Sequence, residues 1–173
     1  MTRPCASTAR LLTANFTACL LLLAQLLLGM ATNLFAVIPS AHPGADARDY
    51  FTGAAAALAW VIPHGPAWVA AHAAFGLALI ALAPLVIVLA RRHGARADLG
   101  TAVLGALALI GAAFNGLSFL DYGHDFSSMI MTALWALAMA CYLTGMLLAA
   151  RSTSQQPVAP SPHPSAPCKE PAR

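Results

Sequence analysis

The sequence predicts an all-α protein: an antiparallel four-helix transmembrane bundle with a short outer interfacial helix and a disordered C-terminal tail. Three observations predict it. The chain is 60% hydrophobic and only 9% charged over 173 residues, whereas soluble domains are roughly half apolar and a quarter charged. Its apolar residues gather in four runs, each long enough to cross the hydrocarbon core, which takes about 20 helical residues. Its basic residues fall almost entirely on one side of those runs.

The first run covers 16–38. It is longer than the roughly 7–15 residues of a signal-peptide core, so it is read as an uncleaved first helix despite the small-x-small "GMA" at Gly29–Ala31. A shorter apolar piece, 51–62, lies between Gly53 near its start and Pro63 just past its end. It cannot cross a bilayer and reads as a helix at the interface or capping the bundle. The second span, 67–90, begins behind Pro66, which suits a first helical turn. Pro84 inside it should kink the helix and free a carbonyl near Ile80. The third span is 99–120 and the fourth 127–150, with Asp125 or Ser127 available to cap the last. Lipid offers the backbone no hydrogen-bond partner, so all four should be α-helical. Residues 151–173 hold half of the chain's 12 prolines and few bulky apolar side chains, the composition of a disordered tail.

Orientation follows from the arginines. Arg3 and Arg10 precede the first span, Arg91, Arg92 and Arg96 fill the loop between the second and third, and Arg151, Lys169 and Arg173 follow the fourth; Arg48 alone lies on the other side. Both termini are therefore expected in the cytoplasm of a multi-pass plasma-membrane protein. The lipid bilayer is its first partner, with a homo-oligomer or a larger membrane complex as a further expectation. The net charge of +3 is small and scattered, which excludes a nucleic-acid partner. Cys5, Cys19, Cys141 and Cys168 have no C-x-x-C spacing and indicate neither a disulfide framework nor a zinc ribbon.

Polar residues concentrate toward the outer side. Asn33, His72, Asn115, Ser118, Ser128 and Thr132 share a depth in the outer half of the membrane. Asn115, Ser118 and Tyr122 fall on one helix face, and Ser128, Thr132, Trp135 and Met139 form a similar stripe. Turned inward, these stripes would build a polar pocket from His72, His64, His124, Asn115 and Asn33. An intramembrane histidine faces a bundle interior either as a functional group or as a hydrogen-bonded lock. Here the lock reading ties a neutral His72 to Asn33 or Asn115. Haem would need a second imidazole at similar depth. Only His64 or His124, at helix ends, could serve with His72. A divalent metal could be held by His42, Asp46, His64, His124 and Asp125, a donor set suited to zinc. Pro43 and Gly44 prevent a continuous helix from projecting His42 and Asp46 together.

The stretches "NLFAVIPSAHPGA", "HGPAWVAAHAAFG" and "FNGLSFLDYGHDFSSMIM" resemble small four-span integral membrane proteins of actinobacterial type, over about residues 10–150. That group has no assigned activity, so the resemblance implies a fold and a location and no catalytic residues. The sequence sets no nucleophile beside a base. It reads best as a non-enzymatic subunit or binding module whose functional surface lies outside. A haem- or metal-binding redox protein using His72 is the alternative, and a transport or channel subunit the third, although no acid or lysine lies within a span.

Overall fold

A computed structural model of the chain describes residues 6–45, 47–122 and 125–154, apart from the side chains of residues 121, 122, 125, 153 and 154. It contains five helices: α1 (Ala6–Phe35), α2 (Tyr50–His64), α3 (Ala67–His93), α4 (Arg96–Tyr122) and α5 (Asp125–Ser154). α1, α3, α4 and α5 are each long and apolar enough to cross a membrane. The helices outrun the apolar runs that announced them. α1 begins ten residues before the first run and stops three residues short of its end. Hydropathy marks the stretch that lipid must surround. The helix itself continues for as long as its backbone bonds and packing hold. Arg151–Ser154, expected in the tail, prolong α5, and the rest of the expected tail lies outside the described residues. α3 runs through Pro84 as one element.

The bundle closes as a ring. α1 packs on α3 and α5, α4 packs on the same two helices, and the pairs α1–α4 and α3–α5 lie across the diagonals. Neighbours run antiparallel: Thr32 and Gln25 of α1 meet Trp68 and His72 of α3, while Gly105 and Gly116 of α4 face Tyr142 and Met131 of α5. Leu27, Leu34, Leu107 and Leu147 are more than half exposed, and an exterior this apolar suits lipid.

The end of the bundle that carries Arg91, Arg92, Arg96 and Arg151 is tightly filled. Its core is made largely of small residues, among them Ala14 and Ala18 on α1, Ala90 on α3, Ala102 on α4 and Ala149 on α5, around the fully buried Tyr142. Within lipid, such close backbone approach is the main source of helix association, because the tails are as apolar as leucine. The α3–α4 turn at this end is fixed by His93, whose Nδ1 lies 2.5 Å from Asp98 Oδ2. Asp98 is only 3% exposed. It sits in the first turn of α4, where the helix dipole favours a carboxylate.

The opposite end is covered on one side by α2. Asp49 caps that helix, accepting from the Thr52 hydroxyl at 2.6 Å and the Thr52 backbone N–H at 2.8 Å. The same two bonds, the hydroxyl foremost, hold the Asp49 carboxyl below its usual range. Gly53, Ala54, Ala57 and Val61 form the buried face of α2, which rests on α3 and α4 and on no other helix. Tyr50 anchors it by donating to the Phe114 carbonyl at 2.8 Å, with Ser118 Oγ at 3.1 Å. Gly44 takes a left-handed φ of 98° and lies so close to α2 that a Cβ would meet the Gly53 carbonyl oxygen at 2.3 Å.

Candidate functional site: a cavity beneath α2

In the half of the bundle nearest α2, the four long helices enclose a cavity of about 290 Å³. On α1 its lining runs from Leu22 to Asn33, a depth of roughly 16 Å at 1.5 Å per residue. The floor is Leu22, Leu79, Leu109 and Trp135. The Trp135 indole N–H is already satisfied by the Leu22 carbonyl at 2.7 Å, so the bottom presents apolar surface. Hydroxyl and amide groups stand higher, from Thr32, Asn33, Ser128 and Thr132. Among the described residues, no Lys, Arg, Asp or Glu lines the cavity.

His72 and Gln25 form one wall. The Gln25 amide nitrogen donates to the His72 backbone carbonyl at 3.0 Å, and the same nitrogen lies 3.3 Å from His72 Nε2. The carbonyl can only accept, so the amide must point its N–H groups this way. Nε2 must then accept, and the ring is neutral with its proton on Nδ1. Nδ1 and Gln25 Oε1 are both buried with no hydrogen-bond partner among the described residues. The ring packs on Gly29, where a Cβ would lie 3.1 Å from Cε1, and the Gln25 amide packs on Gly76, where a Cβ would lie 3.2 Å away. Two glycines on opposing helices thus make the room that this polar pair occupies.

Of the residues expected to share the site, the structure brings His72 and Asn33 to the cavity. The Asn33 amide donates to Ser128 Oγ at 3.2 Å. The partner of His72 is Gln25 rather than Asn33 or Asn115, because the register of α1 on α3 carries Asn33 beyond its reach. Asn115 turns its amide back to the Gly111 carbonyl of its own helix at 3.0 Å and does not line the cavity. His64 is exposed at the end of α2, away from the lining. His124 lies outside the described residues. His72 Nε2, the atom a haem iron would take, is occupied by Gln25.

Among the metal candidates, Asp46, His124 and the Asp125 side chain fall outside the described residues. His42 has Nδ1 3.1 Å from the Pro43 carbonyl and Nε2 3.2 Å from the Leu120 carbonyl, and its ring stacks on Trp60 at 5.3 Å. It ties the loop before α2 to the end of α4. No three His, Cys, Asp or Glu residues stand together among the described residues.

At the arginine end, the order Ser152, His93, Asp98 has the connectivity of a nucleophile triad, with Ser152 Oγ 3.4 Å from His93 Nε2. The Ser152 hydroxyl, however, donates to the Ala149 carbonyl at 2.7 Å. Its proton is therefore directed away from the imidazole, and the group joins helix ends. Sequence reading missed this cluster and the Gln25–His72 pair. The spacing of His93 and Asp98 across Gly94 was the available signal for the first. For the second, it was that Gln25 and His72 each sit inside a span, where a polar side chain faces the bundle interior and needs a partner. Compared with protein-family models, with curated proteins and with solved structures, the chain matches none.

Proposed function

We propose that the protein is a non-enzymatic binding module of the plasma membrane, with the α2 end outside and both termini in the cytoplasm, and that the cavity beneath α2 is its binding site. Arginine placement supports the orientation: Arg10, Arg91, Arg92, Arg96 and Arg151 stand at one end and Arg48 alone at the other. The observation that carries the binding reading is the cavity itself. Lipid-embedded helices with so many small residues close on one another wherever they can, as they do in the arginine half, yet a volume of about 290 Å³ persists beside α2. That is at the lower end of the roughly 300–1,000 Å³ of small-molecule sites, which likewise combine apolar walls with a few polar groups.

The test is to purify the full-length protein in mild detergent, extract it with organic solvent and identify what co-purifies by mass spectrometry. A stoichiometric small molecule is expected. Ala113→Trp, which fills the cavity from α4, should remove it. A folded wild-type protein that carries nothing, or a variant that carries as much as wild type, would defeat the reading.

A further inference from the structure

We propose that the occupant is an uncharged single-chain lipid drawn from the leaflet next to α2, and that it passes sideways between α1 and α5 at the Asn33–Ser128 contact. This rests on the reading of the cavity as a binding site and adds the chemistry of the ligand and its route.

The absence of charge comes from the lining. Among the described residues it holds no acidic or basic side chain besides His72, and Gln25 faces that ring with an amide N–H, which suits a neutral imidazole. An ionised head group drawn into such a site would lose its hydration with nothing to pair it, at a cost that ordinarily neutralises or expels the ion. The polarity gradient sets the ligand's orientation. Floor groups are apolar, whereas the Asn33–Ser128 bond uses one amide N–H and one hydroxyl lone pair. That leaves the Asn33 carbonyl oxygen to accept from, and the Ser128 O–H to donate to, a hydroxyl or ester head. The volume favours one chain over two: about 290 Å³ lies at the lower end of the roughly 300–1,000 Å³ of small-molecule sites.

The route follows from where α2 lies. Among the described helices it packs on α3 and α4, and the loop before it is tied by His42 to Leu120 of α4. The α1–α5 seam at the same level is bridged, among the described residues, by Asn33 and Ser128. Asn33, Met30 and Thr132, all at the cavity, are exposed. A seam that opens on lipid admits what is dissolved in lipid, and one hydrogen bond across it is a weak bar, since such bonds between membrane helices contribute little.

The experiment uses the full-length protein in nanodiscs and native mass spectrometry with three probes that share an oleoyl chain: monooleoylglycerol, ionised oleate and oleoyl lysophosphatidylglycerol. Monooleoylglycerol should form a one-to-one adduct at least tenfold more readily than either anion. Equal binding of an anion would overturn the assignment of an uncharged head. Asn33→Cys with Ser128→Cys, in a background carrying Cys5→Ser and Cys168→Ser, should then be joined by a reducible bis-methanethiosulfonate. The bridged protein should neither load nor release monooleoylglycerol, and reduction should restore both. Asn33→Ala should speed release severalfold without any bridge. Loading that ignores the bridge, or release that ignores Asn33→Ala, would overturn the route while leaving the site intact. No adduct with any probe would instead bring down the binding-module reading itself.

Discussion

The two halves of this bundle are built from the same four helices and differ in what stands between them. Toward the arginine end, alanine after alanine lets backbones meet, and Tyr142 fills the remaining centre at 1% exposure. Toward α2, the same helices carry Gln25, Thr32, Asn33, His72, Ser128 and Thr132, and they enclose a cavity. The halves join at one layer, since Leu22, Leu79 and Leu109 belong both to the packed core and to the cavity floor. The difference teaches that apolar content does not decide closure in lipid. Closure comes from side chains small enough for dense contact, and polar side chains with fixed hydrogen-bond partners hold helices at a set distance instead.

Each half also has its own histidine, and these should break the comparison most sharply. His93 faces the Asp98 carboxylate, with side-chain exposures of 10% and 2%. Asp98 Oδ1 is buried without a partner among the described residues, so the imidazole carries most of the compensation for that charge. Removing one member of such a pair strands the other, at a cost of about 3 kcal/mol. His93→Ala should therefore show the largest loss of stability of any change considered, read as resistance to unfolding by a denaturing detergent. A loss no greater than that of an exposed substitution would mean the carboxylate finds solvent, and the arginine half is not closed.

A matched pair of substitutions on α4 compares space directly. Gly105 faces Tyr142, and a Cβ there would already lie 3.1 Å from the ring and 3.3 Å from Cys141 Cβ. Gly105→Leu should destabilise by about 2 kcal/mol through overpacking. Ala113, two turns along the same helix, lines the cavity. Ala113→Leu should leave thermal stability close to wild type. Equal losses would show that the cavity closes in the bilayer and that the two halves do not differ.

How far the sequence foretold this division depends on which force set each feature. The four spans were legible because about 20 apolar residues are needed to cross the bilayer and nothing else in the chain has that length. Helix ends were not, since Thr8, already buried in α1, and Asp98, buried in α4, are polar and were left outside their spans. The concentration of polar groups in one half was also legible from depth alone. Their pairing was not. Asn33, His72 and Asn115 share a level, yet Asn115 turns to its own helix and His72 meets Gln25. Which of two polar groups about two turns apart on α1 becomes the partner is fixed by how α1 slides along α3. That slide depends on the loop and helix between them, where Gly44 seats against α2, and periodicity carries no information about it.

The smallest loss among the hydrogen-bonded groups belongs to His72, and it sharpens the comparison by its modesty. Gln25 and His72 satisfy each other on one side only, since Oε1 and Nδ1 both lack partners among the described residues. Each unmet group subtracts from what the pair contributes. His72→Ala should cost about 1 kcal/mol, well below His93→Ala, because it removes a neutral contact and strands no charge. Gln25→Ala should cost about the same, and the double variant should cost little more than either single one, giving a coupling of about 0.6 kcal/mol. Strict additivity in that cycle would mean the two side chains do not meet, and the neutral, Nδ1-protonated ring would lose its basis. If His72→Ala proved as costly as His93→Ala, the α2 half would have to be held by a buried charge, which the described lining of the cavity does not supply.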